Sequence, residues 1–177
     1  MIIDGNDMEQ RAVEAVAALM CAAARTAPKA KGKDNLVTVV VVGDDLKRLS
    51  AEMRKVAAGS GAAFFARDAD NVDVSRAVVL FGQRPVPVNV PACGYCGYKD
   101  CAENVKNSGV CAISAGDLGI ALSSAASVAA MHHVDNRMMF TTGRAALNLG
   151  LFGDENVTIA YGIPLSVTGK SPFFDRK

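Results

Sequence analysis

The stretch "AVEAVAALMCAAARTAPKAKGKDNLVTVVVV" (residues 12–42) decides the fold, because it moves from helix to breaker to strand without ambiguity. Val13, Val16, Ala17, Met20 and Ala24 recur at helical spacing while Arg11 and Glu14 stand off that face, which predicts an amphipathic helix from Glu9 to about Arg25. "TAPKAKGKDN" (residues 26–35) ends it with Pro and Gly and carries Lys29, Lys31 and Lys33 at alternate positions. "LVTVVVV" (residues 36–42) then reads as a buried strand, since β-branched side chains pack well on a covered, pleated surface.

Working outward, Gly43 turns the chain. Asp44 or Asp45 is placed to cap a second helix, with Leu46, Leu49, Met53 and Val56 inward, and "GSG" (residues 59–61) stops it. Two short strands are expected next, "AAFFA" (62–66) and "AVVLF" (77–81), joined by the polar "RDADNVDVSR". Three prolines in "RPVPVNVPA" (84–92) predict an extended arm with few ladder hydrogen bonds. Beyond the arm, Ser114 with Asp117 three residues on forms an acidic capping box. It opens a small-residue helix from about Asp117 to Met131, close-packed and buried. A last helix near 143–149 and a strand "VTIAYGI" (157–163) precede the tail "PLSVTGKSPFFDRK". No repeat or low-complexity linker interrupts the chain. Its 177 residues read as a single domain, 1–177, with a cysteine-rich loop at 85–115 inside it.

Composition excludes several function classes. The formal charge of +1 offers no field to steer nucleic acid or anionic lipid. The apolar run "LVTVVVV" is far too short to span a bilayer, and "MIIDGNDMEQ" carries acids where a secretory signal has a basic region and an apolar core. The expectation is a cytoplasmic protein with no nucleic-acid or membrane partner. In that reducing compartment clustered cysteines point to metal or redox chemistry rather than to structural disulfides.

Four of the five cysteines fall in "PACGYCGYKDCAENVKNSGVC" (residues 91–111), spaced Cys93-x2-Cys96-x4-Cys101-x9-Cys111. They can be small core residues without a shared role, a "CGYC" dithiol, or a metal centre. The density beside exposed "GYKD" argues against the first reading. The dithiol belongs at a helix start in a βαβ unit, where here a proline-rich arm precedes it, and it leaves Cys101 and Cys111 unexplained. For metal, Gly94 and Gly97 supply the permissive backbone that a tight wrap around thiolates needs. Zinc ribbons present two C-x2-C knuckles, whereas this segment has one and then an unequal gap, as iron–sulfur loops do. That ranks a [4Fe–4S] cluster first and a zinc-stabilised structural or interaction protein behind it. The fourth ligand is Cys111 or, from the first helix, Cys21.

"CGYCGYKDC" resembles the C-G-x-C-G-x-x-x-C loop of small four-iron ferredoxin domains. That resemblance implies cluster ligation by Cys93, Cys96 and Cys101, with Cys111 as the downstream ligand. More widely, "DLGIALSSAAS", "VDNRMMFTTGRAA" and "GIPLSVTGKSPFFDR" resemble a family of uncharacterised prokaryotic proteins that contain a ferredoxin domain. A second resemblance concerns the scaffold. "AVEAVAALMCAAARTAPKAKGKDNLVTVVVV", "DLGIA" and "VTIAYGIP" follow the order of flavin-dependent nitroreductases. It implies an α+β fold, nitroreductase-like, with a central mainly antiparallel sheet flanked by helices and the cysteine-rich iron–sulfur loop inserted. It also implies a homodimer and a possible oxidoreductase binding FMN. The arginine-rich start of that family is absent here, and Lys29 stands in place of its serine. Lys29, Lys31 and Lys33 are the candidates for a flavin or nucleotide phosphate, against the alternative of a solvated basic loop. The redox partner and any catalytic residue stay unknown, and no nucleophile–base pair or paired carboxylates point to hydrolysis.

Several other residues carry expectations. His132 and His133 complement the end of the small-residue helix. Asp135 and Arg137 either orient a substrate or pair in a buried network. Met138 and Met139 fill core, Cys21 is a core thiol, and Phe173 and Phe174 seek a partner surface.

Overall fold

Why "LVTVVVV" (36–42) and "AVVLF" (77–81) differ in burial explains the architecture. The computed structural model describes residues 1–174, so the end of the tail, residues 175–177, lies outside the described residues. Strands β1 (Leu36–Val42), β2 (Ala77–Gln83), β3 (Asp135–Asn136) and β4 (Ile159–Ser166) form one sheet in the order β1-β2-β4-β3, with every pairing antiparallel. β2 is central and buried at all its positions. Ala77, Val79 and Phe81 face α1 (Gly5–Thr26) and α5 (Ala112–Met131). Val78 and Leu80 face α2 (Asp44–Ser60), α3 (Phe64–Asp73) and α6 (Phe140–Asn148). Alternate side chains of one strand thus feed two cores, giving helix, sheet and helix layers. The fold is α+β, as expected.

β1 is the correction. "LVTVVVV" is the more apolar run, yet it lies at the sheet edge, and Val40 and Val42 are exposed. An edge strand has one neighbour, so β-propensity alone does not bury it. "AAFFA" is not a strand either. Its two phenylalanines open α3, where Phe65, Ala69 and Val72 are buried at helical spacing and Phe64 is exposed. The supposed connection "RDADNVDVSR" therefore continues a helix, because its inward face repeats every three to four residues.

Two helix starts also differ. α2 follows Gly43 without a side-chain cap and ends on Gly61 in the left-handed region (φ 70°), the usual reason for glycine there. α5 begins at Ala112 with Cys111 as its N-cap, so Ser114 and Asp117 lie inside the helix and form no capping box. Both are buried and bonded elsewhere, as described below. α5 is long and apolar enough to cross a bilayer by length and composition, at a mean hydropathy of 1.3. Its Leu118, Ala121, Ala125 and Ala129 pack in the α1 core, whereas Gly116, Gly119, Ile120 and Met131 stay exposed, so only one face is buried. Met139 is core but Met138 is exposed. Arg137 turns to the Asp68 carboxylate (3.9 Å) and donates to the Phe173 carbonyl (3.2 Å) rather than to Asp135.

Candidate metal centre

The chain leaves β2 at Gln83 and must carry Cys93, Cys96 and Cys101 to the start of α5. A buried side-chain network does the anchoring. Gln83 Nε2 donates to the carbonyl and hydroxyl of Ser114, both at 3.0 Å, and Ser114 Oγ donates to the Arg84 carbonyl (3.1 Å). The Cys111 N–H donates to the Pro85 carbonyl at 3.1 Å. These bonds hold the proline arm against the first turn of α5, and Val88 is buried behind it. Lys31 Nζ donates to the Asn89 carbonyl (3.1 Å), tying the arm to the 3-10 turn Ala30–Gly32. The Asp117 carboxylate accepts from the Ala30 N–H at 3.1 and 3.2 Å, which fastens that turn to α5.

The loop itself bends hard. Gly94 and Gly97 have φ of 63° and 82°, and Ala92 and Asn89 are also left-handed at 56° and 58°. An alanine there is disfavoured by about 1–2 kcal/mol, so the surroundings must hold it. A Gly97 N–H to Gly94 carbonyl bond (3.0 Å) closes the turn between the first two cysteines. Cys101 then opens α4 (Cys101–Lys106), and Cys111 caps α5.

Cys93, Cys96, Cys101 and Cys111 all line one cavity of about 230 Å³, together with Tyr98 and Lys99. The first three are partly exposed and Cys111 is buried. Cys111 is the N-cap of α5 and so stands at the positive end of that helix. Among the described residues no three His, Cys, Asp or Glu side chains come together closely enough to hold a single ion. All four thiols line the one cavity. A lone zinc needs its four ligands within about 2.3 Å of one point, whereas an iron–sulfur cluster is wider and takes its cysteines at separate corners. The donor set and the cavity fit the cluster.

Cys21 is elsewhere. It packs on the α1 core, and burial pushes its thiol up, against a Thr38 hydrogen bond and the Arg25 charge. The three lysines do not converge. Lys29 donates to the carbonyls of Ala24, Arg25 and Ala27 and so caps the end of α1; Lys31 holds the arm; Lys33 is exposed. Arg25 pairs with Asp34 at 2.6 Å across the same turn. Burial pushes the Asp34 carboxyl up, but that bond and the Leu36 N–H hold it below its ordinary value overall. His132 closes α5 and is exposed. Sequence reasoning missed Gln83, Asp117 as a tether, and the Lys31 link. Only Gln83 left a signal, a lone amide ending an apolar strand.

With this geometry in hand, the likenesses to known proteins are informative. The signature of a family described as "Uncharacterized protein containing a ferredoxin domain (DUF2148)" matches residues 107–176, a span that includes Cys111. An uncharacterized protein of Archaeoglobus fulgidus is 39% identical, covering 99% of this chain and 98% of its own. Among solved structures, a nitroreductase with bound FMN from Desulfitobacterium hafniense superposes with a TM-score of 0.60 at 16% identity, over 99% of this chain and 85% of that one. The FMN-dependent nitroreductase NfnB of Mycobacterium smegmatis, in complex with NADPH, gives 0.58 at 15% identity, over 88% and 78%. At those identities the likeness is one of fold: the scaffold is nitroreductase-like.

Proposed function

The chain belongs to the family of uncharacterized proteins containing a ferredoxin domain, and from that premise we propose that Cys93, Cys96, Cys101 and Cys111 hold one [4Fe–4S] cluster in an electron-transfer protein. The observation that carries the reading is that four thiols, from the loop, the start of α4 and the N-cap of α5, line a single cavity. Such a cluster, when bound, supplies single electrons at a potential set by charge, hydrogen bonds to sulfur and burial. The protein's part is to hold the ligands. Gly94 and Gly97 wrap the loop, and the Gln83–Ser114–Arg84 network keeps the arm on α5. Cys111 forms the buried wall, while Cys93, Cys96 and Cys101 sit on the open side beside the exposed Tyr95, where a redox partner has access.

Protein purified without oxygen is expected to be brown, with broad absorption that bleaches on reduction, and to hold about four irons and four sulfides per chain. A colourless preparation with stoichiometric zinc, and no iron after anaerobic reconstitution, overturns the reading in favour of a structural zinc protein.

A second reading is an FMN-dependent reductase fed by the cluster, and the fold likeness favours it. Because Lys29 is engaged by three carbonyls and Lys31 by the Asn89 carbonyl, a phosphate contact would rest first on Lys33. Released yellow chromophore in the same preparation distinguishes this reading.

The same reading extends to a homodimer. Phe173 is buried against its own chain, but Phe174 is 63% exposed, as is the outer face of α5 with Ile120 and Met131. Light scattering is expected to give twice 18.4 kDa. A monomer mass across a wide concentration range rules the dimer out.

A further inference from the structure

Between Cys101 and Cys111 the chain runs up the short helix α4 and must double back. Asn104 is 1% exposed there, although Glu103, Val105, Lys106, Asn107 and Ser108 around it are all exposed. An amide is a poor choice for a helix interior and for burial unless it is bonded. Its bonds run both ways along the segment. Its N–H donates to the Asp100 carbonyl (3.2 Å), and its own carbonyl accepts from Asn107 (3.2 Å) and Gly109 (2.8 Å). Its Nδ2 donates to the Val110 carbonyl at 3.2 Å, one residue before Cys111. Among the described residues Oδ1 has no partner, so only the donor half of the amide is used. Gly109 completes the closure. A Cβ there would lie 2.6 Å from the Tyr98 ring and 2.7 Å from Asn104 Nδ2, and Tyr98 lines the cysteine cavity.

We infer that Asn104 is a positioning residue for the fourth thiol: its amide clamps Val110 to the Cys101 helix and so sets Cys111 at the cavity. The inference rests on the cluster reading above. A position that served only packing would be better filled by leucine, because half of this amide is left unpaired in the interior.

The test uses the full chain, with Asn104→Asp, which keeps the shape but replaces the donor by an acceptor, and Asn104→Leu. The exposed Asn107→Ala is the control. After anaerobic reconstitution, both Asn104 variants are expected to show the altered electron paramagnetic resonance spectrum of Cys111→Ser, or its loss of about one iron in four. Asn107→Ala matches the wild type. Adding Asn104→Asp to Cys111→Ser changes nothing further, since the two act through one ligand. A wild-type spectrum and iron content in both Asn104 variants overturns the inference. So does further iron loss in the double variant, which is the mark of a general loosening of the fold.

A second arm keeps the inference separate from the cluster. In the metal-free chain, a short bis-alkylating reagent is expected to bridge Cys101 and Cys111 about fivefold more slowly in Asn104→Asp, the factor for one lost hydrogen bond. An unchanged bridging rate overturns the positioning role, whatever the wild type binds. If the wild type takes up no iron but bridging slows, the cluster reading falls and Asn104 keeps its role for another metal or a dithiol.

Discussion

Serine at Cys93, Cys96 or Cys101 is expected to strip the reconstituted protein of most of its iron and of its charge-transfer absorption. Cys111→Ser is expected to lose about one iron in four or to alter the electron paramagnetic resonance spectrum. Cys21→Ser leaves both unchanged. The grading follows from position. The first three thiols share one tightly wound loop, so losing one leaves two ligands on a backbone whose left-handed residues need something to hold them. Cys111 comes from a different element, anchored independently through its N–H to Pro85 and through the Ser114 network, so its loss leaves the loop intact. Cys21 is half-buried against the α1 core, away from the cavity, with its thiol pushed up by burial, the mark of an inert cysteine. If Cys21→Ser loses iron and Cys111→Ser does not, the ligand role passes to Cys21. If neither changes anything, the site is held by three cysteines and has an open position.

The parts legible in the sequence were those in which a local pattern and the tertiary environment agree. α1 was readable because its apolar stripe is the face that meets α5, and the structure extends it only from Gly5 to Thr26. That four cysteines share one cavity was readable because they lie close together along the chain. What failed was decided at a distance. Whether "LVTVVVV" or "AVVLF" is central depends on strand order, which neither run encodes; the longer valine run is the edge and the shorter run, with Gly82 and Gln83, is the middle. The diphenylalanine at 64–65 looked like a strand because aromatics favour sheets, but one ring is buried and the other exposed, and the chain after them repeats as a helix. Ser114 looked like a cap because its sequence neighbourhood allows one. Its hydroxyl is used instead by Gln83 and Arg84, thirty residues away along the chain, a bond that no local rule contains. The three lysines alternate in sequence as if to grip one anion, yet one caps a helix and another holds the arm, because the turn Ala30–Gly32 passes through a left-handed Lys31.

Glycine shows the same dependence most sharply, and it gives the largest stability effect expected away from the cysteines. Gly143→Ala should destabilise the protein by about 3 kcal/mol or more, seen as a lower urea midpoint. By propensity the change should help, since alanine in a helix interior is better than glycine by about 1 kcal/mol. Packing overrides that preference. Gly143 lies inside α6, buried, and a Cβ on it would fall 2.0 Å from the Ala160 carbonyl oxygen and 2.5 Å from the Tyr161 nitrogen. Those are backbone atoms of β4, which cannot step aside because Ala160 and Tyr161 pair with Gly82 and Phe81 of the central strand. The helix cannot lift easily either, since Met139 just before it exchanges two hydrogen bonds with Gly162, at 2.8 and 2.9 Å. Gly162 is the matching half of the contact, as its own Cβ would meet Thr142 Oγ1 at 2.3 Å. The two glycines let a helix rest directly on a strand. Gly59→Ala in α2 is the control, because a Cβ there meets nothing within 4 Å, and its midpoint should stay level or rise. A Gly143→Ala midpoint equal to that of the control would mean that α6 does not seat on β4 at this distance. The close helix-on-strand contact would then have to be abandoned.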